Sequence, residues 1–168
     1  MKLKKGKVEV RYQRISDAKR FYEILKNPNF KHFGAKPKSV KEEKKFLEKT
    51  QKKRRDNIEH NFTITFGGKL VGGAGIKIDQ QRKFIGEIGY FIDEAYWGKG
   101  IATVAVKLIE KYGFKDLKLK RIELVMVPEN KASERVAIKV GYEKEGLMKK
   151  SIEQQGKYKD TYLYAKVK

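Results

Sequence analysis

There is no cysteine anywhere in the 168 residues, which excludes disulfides, a thiol nucleophile and the commonest zinc ligands. Histidine is nearly absent as well. His32 and His60 stand too far apart for a short metal motif, so no metal site is expected. No apolar run is long enough to cross a bilayer, and Met1-Lys2-Leu3-Lys4-Lys5 lacks the apolar core of a signal peptide. The expected location is therefore the cytoplasm, without membrane contact. With three prolines and no Pro/Ser/Gly-rich stretch there is no candidate linker, and residues 1–168 read as one domain with a single core. Acid is scarce: 21 Asp and Glu against 41 Lys and Arg leave a net charge of +20.

Such a field attracts polyanions. It is densest over residues 36–55, where ten basic and three acidic side chains give +7. Ser39-Val40-Lys41-Glu42 has the form of a capping box there, and Val40, Phe46 and Leu47 supply a thin apolar face, so the stretch reads as a solvated helix. Two readings of the charge stay open: weak contact with RNA or a ribosome, or the Lys- and Glu-rich surface of a heat-adapted protein.

Periodicity orders the rest of the chain. Residues 8–15 read as a strand, and Ser16 as the cap of a helix to about residue 26. Residues 61–66 and 70–79 form two strands around the Gly67-Gly68 hairpin signal, and a further strand spans 85–93. Residues 99–112 place Ile101, Val104, Ala105, Leu108, Ile109 and Tyr112 on one helical face, with Gly113 as the stop. A strand at 121–127, a helix at 131–140 and two strands near 142–151 and 160–167 complete an α/β mixed sheet.

The chemistry-bearing segment is Tyr96-Trp97-Gly98-Lys99-Gly100-Ile101-Ala102-Thr103, where a strand hands over to a helix. A helix start leaves backbone N–H groups unpaired and carries partial positive charge, so it can hold a phosphate. Gly98 and Gly100 remove the Cβ atoms that would keep a pyrophosphate away, and Lys99 adds a cation. The segment fits neither a P-loop nor a Rossmann fingerprint. Downstream, Pro128 ends a β-branched run, Asn130 is a good N-cap, Ser133 lies three residues on, and Gly141-Tyr142 follows eleven residues after Asn130.

Together these segments resemble two signatures of the GNAT superfamily of acyl-CoA-dependent N-acetyltransferases: the [QR]-x-x-G-x-[GA] pyrophosphate loop, with Trp97 in place of Gln or Arg, and the strand ending V-x-P-x-N before N-x-x-[SA]. The resemblance runs from Val8 to Val167. Arg14-Ile15-Ser16-Asp17-Ala18, Gly86-Glu87-Ile88-Gly89-Tyr90 and Gly141-Tyr142-Glu143-Lys144-Glu145-Gly146 point to the RimJ/RimL-like, ribosomal-protein-alanine branch. It implies the GNAT fold: a mostly antiparallel sheet flanked by helices, with two parallel central strands, here 85–93 and 121–127, splayed to admit the pantetheine arm of acetyl-CoA. Residues implied for the cosubstrate are Tyr90, Ile92, Trp97, Gly98, Lys99, Gly100, Ile101, Ala102, Thr103, Asn130 and Ser133.

In this family a neutral amine attacks the thioester directly. By resemblance a main-chain N–H near Ile92 binds the oxyanion. Glu87 is the chosen base, with Asp93 and Glu94 as alternatives. The family's usual tyrosine acid would fall at position 137, which is alanine. Ser133 is the candidate for the leaving thiolate, and Tyr142 or Tyr158 could reach the same region; the alternation of Tyr158, Tyr162 and Tyr164 favours core packing. An α-amine needs roughly 1 kcal/mol to reach its neutral form at pH 7 and a lysine amine roughly 4.6, so a protein or peptide N-terminus is the favoured acceptor. The alternatives are a small amine (polyamine, amino acid or antibiotic) and a non-catalytic RNA- or CoA-binding module. A polyamine or antibiotic would need a concentrated acidic pocket against the prevailing charge. The oligomeric state is open, a dimer included.

Overall fold

Along the three strands between residues 59 and 92 apolar side chains largely alternate with small or polar ones, so these adjacent strands present two unlike faces. β3 (Glu59–Phe66) sends Phe62 and Ile64 one way and Asn61 and Thr63 the other. β4 (Lys69–Ile78) follows with Ala74 and Ile76 against Gly73 and Gly75, and β5 (Ile85–Ile92) with Ile88 and Ile92 against Glu87 and Gly89. These strands are the middle of an eight-stranded sheet, completed by β1 (Lys2–Lys5), β2 (Val8–Tyr12), β6 (Arg121–Met126), β7 (Glu143–Gln154) and β8 (Lys157–Val167). The order is β1-β2-β3-β4-β5-β6-β8-β7, antiparallel except for β5 and β6. The computed structural model describes every residue except Phe33, Ala35 and Gln155.

α3 (Ile101–Lys115) and α4 (Lys131–Val140) cover the apolar face, where Ile101, Ala105, Val106 and Ile109 meet Val10, Phe62, Ile64, Ile76 and Ile122. Each large side chain buried here contributes about 1.5–3 kcal/mol. α1 (Ala18–Leu25) and α2 (Val40–Arg55) lie on the opposite face, with Ala18, Phe21 and Leu47 packed on Leu70 and Phe91. Among the described residues no helix is long and apolar enough to cross a membrane. β5 and β6 pair only from Ile85/Arg121 to Glu87/Glu123 and then part. This fork organises the site.

Several sequence expectations are corrected. Gly113 does not stop α3; a Cβ there would sit 2.8 Å from Ile122 Cδ1, so the glycine lets the helix lie close to the sheet. The left-handed residue after the helix is Lys118, at φ 58°. Ser16 does not cap α1, which is entered through a 3-10 turn at Ile15–Asp17. Asp17 accepts from the Arg14 amide (2.9 Å), Thr63 Oγ1 (2.7 Å) and both Arg11 terminal nitrogens (2.8 and 2.7 Å). The capping box at α2 is half made: Ser39 Oγ accepts from Glu42 N (3.1 Å), but Glu42 Oε2 turns to Lys38 N (2.6 Å). The hairpin turn holds as read, Gly67 and Gly68 adopting φ 57° and 81°.

Candidate active site

The glycine loop behaves as its sequence suggests. Gly98 (φ 74°) and Gly100 (φ 71°) both take the left-handed conformation, and a Cβ on either would meet nothing within 4 Å. Gly100 is the N-cap of α3, whose first helical bond runs from Val104 N to Gly100 O (3.2 Å). The amides from Gly98 to Thr103 donate to no acceptor among the described residues. A row of unpaired N–H groups at a helix start fits a diphosphate. Lys99 lies beside it, its Nζ 3.3 Å from Ala95 O and over the Tyr96 ring.

Trp97, the departure from the usual Gln or Arg, closes the loop onto the strand before it. Its indole Nε1 donates to Ile92 O at 2.6 Å while its ring meets Phe30 edge-on, centroids 5.8 Å apart. Asp93 and Glu94, the alternative bases, are committed elsewhere. Asp93 Oδ1 accepts from Ala95 N and its other oxygen pairs with Arg20. Glu94 accepts from Asn27 and Asn29 (2.7 and 2.8 Å), which hold its carboxyl below the usual carboxylate range.

Main-chain direction can be read from one bond. Asp93 N donates to Val71 O (2.7 Å), so odd-numbered residues along this end of β5 bond to β4. Tyr90 and Ile92, even-numbered, therefore turn their N–H and C=O groups toward β6, on the side where pairing has ceased. The Ile92 carbonyl is taken by Trp97; its N–H faces the gap.

Across the fork, Asn130 caps α4 by accepting from Ser133 N (3.2 Å), and Tyr90 OH donates to Ser133 Oγ (3.3 Å). The structure thus brings Ser133 to β5 and adds a phenol that sequence reasoning used only for its main chain. Burial pushes the Tyr90 phenol above its usual value, and the bond to Ser133 pulls the other way. The legible signal was position 90 standing in register with Ile88 and Ile92 on the α4 side. Neither other tyrosine reaches Ser133. Tyr142 is buried beyond the far end of α4, a helix ~15 Å long. Tyr158 is 68% exposed on the terminal hairpin, not packed in the core as its alternation suggested.

Glu87 stands at the last paired position of the fork, opposite Lys77 on β4 and Glu123 on β6. It is solvent-exposed at the rim of a cavity of about 480 Å³ beneath α2. Crowding by the surrounding protein raises its carboxyl above the ordinary value, Lys77 works against this, and Glu123 adds to it. The cavity uses the polar face of the sheet, Gln13, Asn61, Gly73, Gly75 and Gly89, with Phe46 and Phe91 at its sides. It also gathers four carboxylates, Glu42, Glu43, Glu59 and Glu87, against Lys36 and Lys77. Local acid therefore overrides the +20 field at this point.

A fork between parallel strands, free amides at the following helix start and an acid-lined cavity on the other side define a transferase that joins an acyl-thioester to an amine. The sequence profile of the acetyltransferase (GNAT) domain matches residues 7–143, and the chain belongs to that family. It is an acetyl-CoA-dependent acyltransferase. It is 35% identical over 130 residues to the probable N-acetyltransferase YjcK of Bacillus subtilis, covering 76% of this chain and 72% of that one. The fold superimposes on ribosomal-protein-S5-alanine acetyltransferase of Vibrio fischeri with a TM-score of 0.88, 24% identity and 99% and 96% coverage. RimJ of Mycobacterium smegmatis, solved with CoA-disulfide, gives a TM-score of 0.88, 26% identity and 95% and 81% coverage.

Proposed function

We propose that this protein acetylates the N-terminal α-amine of a protein or peptide in the cytoplasm, a reading that its likeness to a ribosomal-protein-alanine acetyltransferase supports. The observation that carries the reading is the fork itself: Glu87 at its last pair, the Ile92 N–H in its gap and Ser133 on its far wall. The amides of Gly98, Gly100, Ile101, Ala102 and Thr103 hold the diphosphate of acetyl-CoA, Lys99 adds charge, and Tyr90 and Ile92 pair with the pantetheine amides as a strand would. Charge-assisted bonds of this kind contribute about 1.5–3 kcal/mol each.

Glu87, through a water molecule, takes the proton that leaves the acceptor ammonium. The neutral nitrogen then forms the new C–N bond as the C–S bond breaks, and the Ile92 N–H stabilises the charge on the carbonyl oxygen in between. As the nitrogen becomes an amide it sheds a second proton, which passes to Ser133 as Ser133 gives its own to the departing sulfur, and Tyr90, donating to Ser133 Oγ, sets the direction in which that hydroxyl points. The products are an N-acetyl amide and free coenzyme A. Thiol release and mass spectrometry on N-terminal peptides beginning with Ala and Ser test the proposal; release with polyamines or amino acids and none with peptides would overturn it. That second outcome is the alternative favoured by the acid lining of the cavity, which suits a small cationic amine. Membership of an acetyltransferase family argues against the non-catalytic module.

A further inference from the structure

Glu43 is a carboxylate where none is needed to hold the fold. It lies on α2, only 6% exposed, and lines the same cavity as Glu87. Among the described residues its carboxyl makes no hydrogen bond and no ion pair, although the chain carries 41 lysines and arginines. The other two acids that α2 and β3 contribute are engaged: Glu42 with Lys38 N, and Glu59 with Lys53 Nζ at 2.7 Å. Burial and the neighbouring Glu42 raise the Glu43 carboxyl above its usual range. A charged group enclosed without a partner is costly, and native proteins keep such groups chiefly where a ligand completes them.

Beside it, Asn61 is 5% exposed, and its Nδ2 has no acceptor among the described residues. Gln13 Oε1 is likewise buried without a donor, its Nε2 being given to Phe62 O. Asn61 stands over Gly75 and Gln13 over Gly73: a Cβ on Gly75 would meet Asn61 Oδ1 at 2.9 Å, and one on Gly73 would approach Gln13 Nε2 at 3.5 Å. Those glycines are two residues apart on β4, ~7 Å along the strand. That spacing lets one amide lie between the two side chains, its N–H toward Asn61 Oδ1 and its C=O toward the second N–H of Gln13 Nε2.

We infer that Glu43 is the anchor for the acceptor's ammonium and that Asn61 and Gln13 bracket the first peptide amide after it. The inference rests on the proposed N-acetyltransfer to a peptide amine and narrows it: the cavity selects a cationic nitrogen followed within one residue by an amide. Glu87 receives the proton; Glu43 holds the nitrogen before that proton leaves. A free amino acid presents a carboxylate, with no N–H for Asn61 Oδ1, and is disfavoured at that atom.

The decisive probe is alaninamide, the smallest molecule with both features, set against lactamide, in which a hydroxyl replaces the ammonium. By calorimetry with coenzyme A present, the wild-type protein binds alaninamide at least ten-fold more tightly than lactamide. Glu43→Gln removes roughly 10- to 100-fold of the alaninamide affinity. Glu48→Gln, on the exposed side of the same helix, leaves it unchanged. Equal binding of the two amides by the wild type, or full retention of the preference by Glu43→Gln, overturns the inference. Should Glu43→Gln fail to fold, the wild-type comparison decides alone. Because binding is read without turnover, alaninamide that binds but is never acetylated refutes the proposed reaction and not the anchor.

Discussion

Glu87 and Glu43 share a cavity and a direction of pKa displacement, yet their removal has opposite signatures. In the proposed reaction the deprotonated Glu87 is the base, so kcat/KM is expected to rise with pH through its elevated pKa, above the usual ~4.3 for glutamate. Glu87→Gln is expected to lower kcat by about 10²- to 10³-fold and to abolish that acidic limb in a pH–rate profile. For stability the sign is reversed. A carboxyl whose folded pKa is raised supports the fold fully below its unfolded pKa and loses that support as pH rises through the folded value. Glu43→Gln should therefore raise Tm at pH 8 by roughly 2 °C or more, with the gain vanishing near pH 4. Scanning calorimetry at both pH values checks this, and a structural role for the carboxylate predicts a loss instead. Asp17 shows the contrary case. Burial acts to raise its pKa, but Arg11, Thr63 and the Arg14 amide together bring it below the usual value. Its contribution is present above the unfolded pKa and fades as pH falls through the folded one. Asp17→Asn should cost about 2–3 kcal/mol in denaturant melts at pH 7.

Among the elements, two glycines separate fold from function. A Cβ on Gly72 in β4 would fall 2.2 Å from Phe91 O, a backbone atom that cannot step aside, so Gly72→Ala should destabilise by more than 2 kcal/mol in the same melts. Gly89 on β5 has nothing within 4 Å of its Cβ position and lines the cavity proposed for the acceptor. Gly89→Ala should leave stability within about 0.5 kcal/mol while raising the KM of the acceptor and not that of acetyl-CoA. The loop entering α3 was legible because Gly98 and Gly100 leave few alternatives to a left-handed turn before an amphipathic run. The end of α3 was not, because Gly113 carries two meanings in a sequence, a helix stop or a close approach, and only Ile122 and Ile76 across the gap choose between them. The α1 entry was missed for a related reason: Asp17 is drawn to Arg11 and Thr63, partners that local sequence does not place beside it.

For the molecule as a whole, the +20 charge and the acidic cavity act on different ligands. The general field favours the anionic cosubstrate, and salt screens it over a Debye length of about 8 Å at physiological ionic strength. The KM for acetyl-CoA should rise several-fold between 50 and 300 mM salt. The affinity of alaninamide, held by enclosed groups, should change less. Steady-state kinetics across that range measures the first, and calorimetry the second. The proposed cationic acceptor would be admitted by a protein whose surface repels it, because the cavity's own carboxylates act at close range and the surface field is screened.

By itself the sequence determined the family, the glycine turn that opens α3, the Asn130 cap and the choice of β5 and β6 as the fork. Each of those depends on residue types at short, fixed spacing. Tertiary structure alone decided which acids are free and which are spent. Glu94 and Asp93 are tied to Asn27, Asn29 and Arg20, and Glu59 to Lys53, while Glu43 and Glu87 meet across a cavity formed by segments more than forty residues apart. A carboxylate's chemistry is set by the charges and solvent around it, and those come from chain neighbours that only folding supplies.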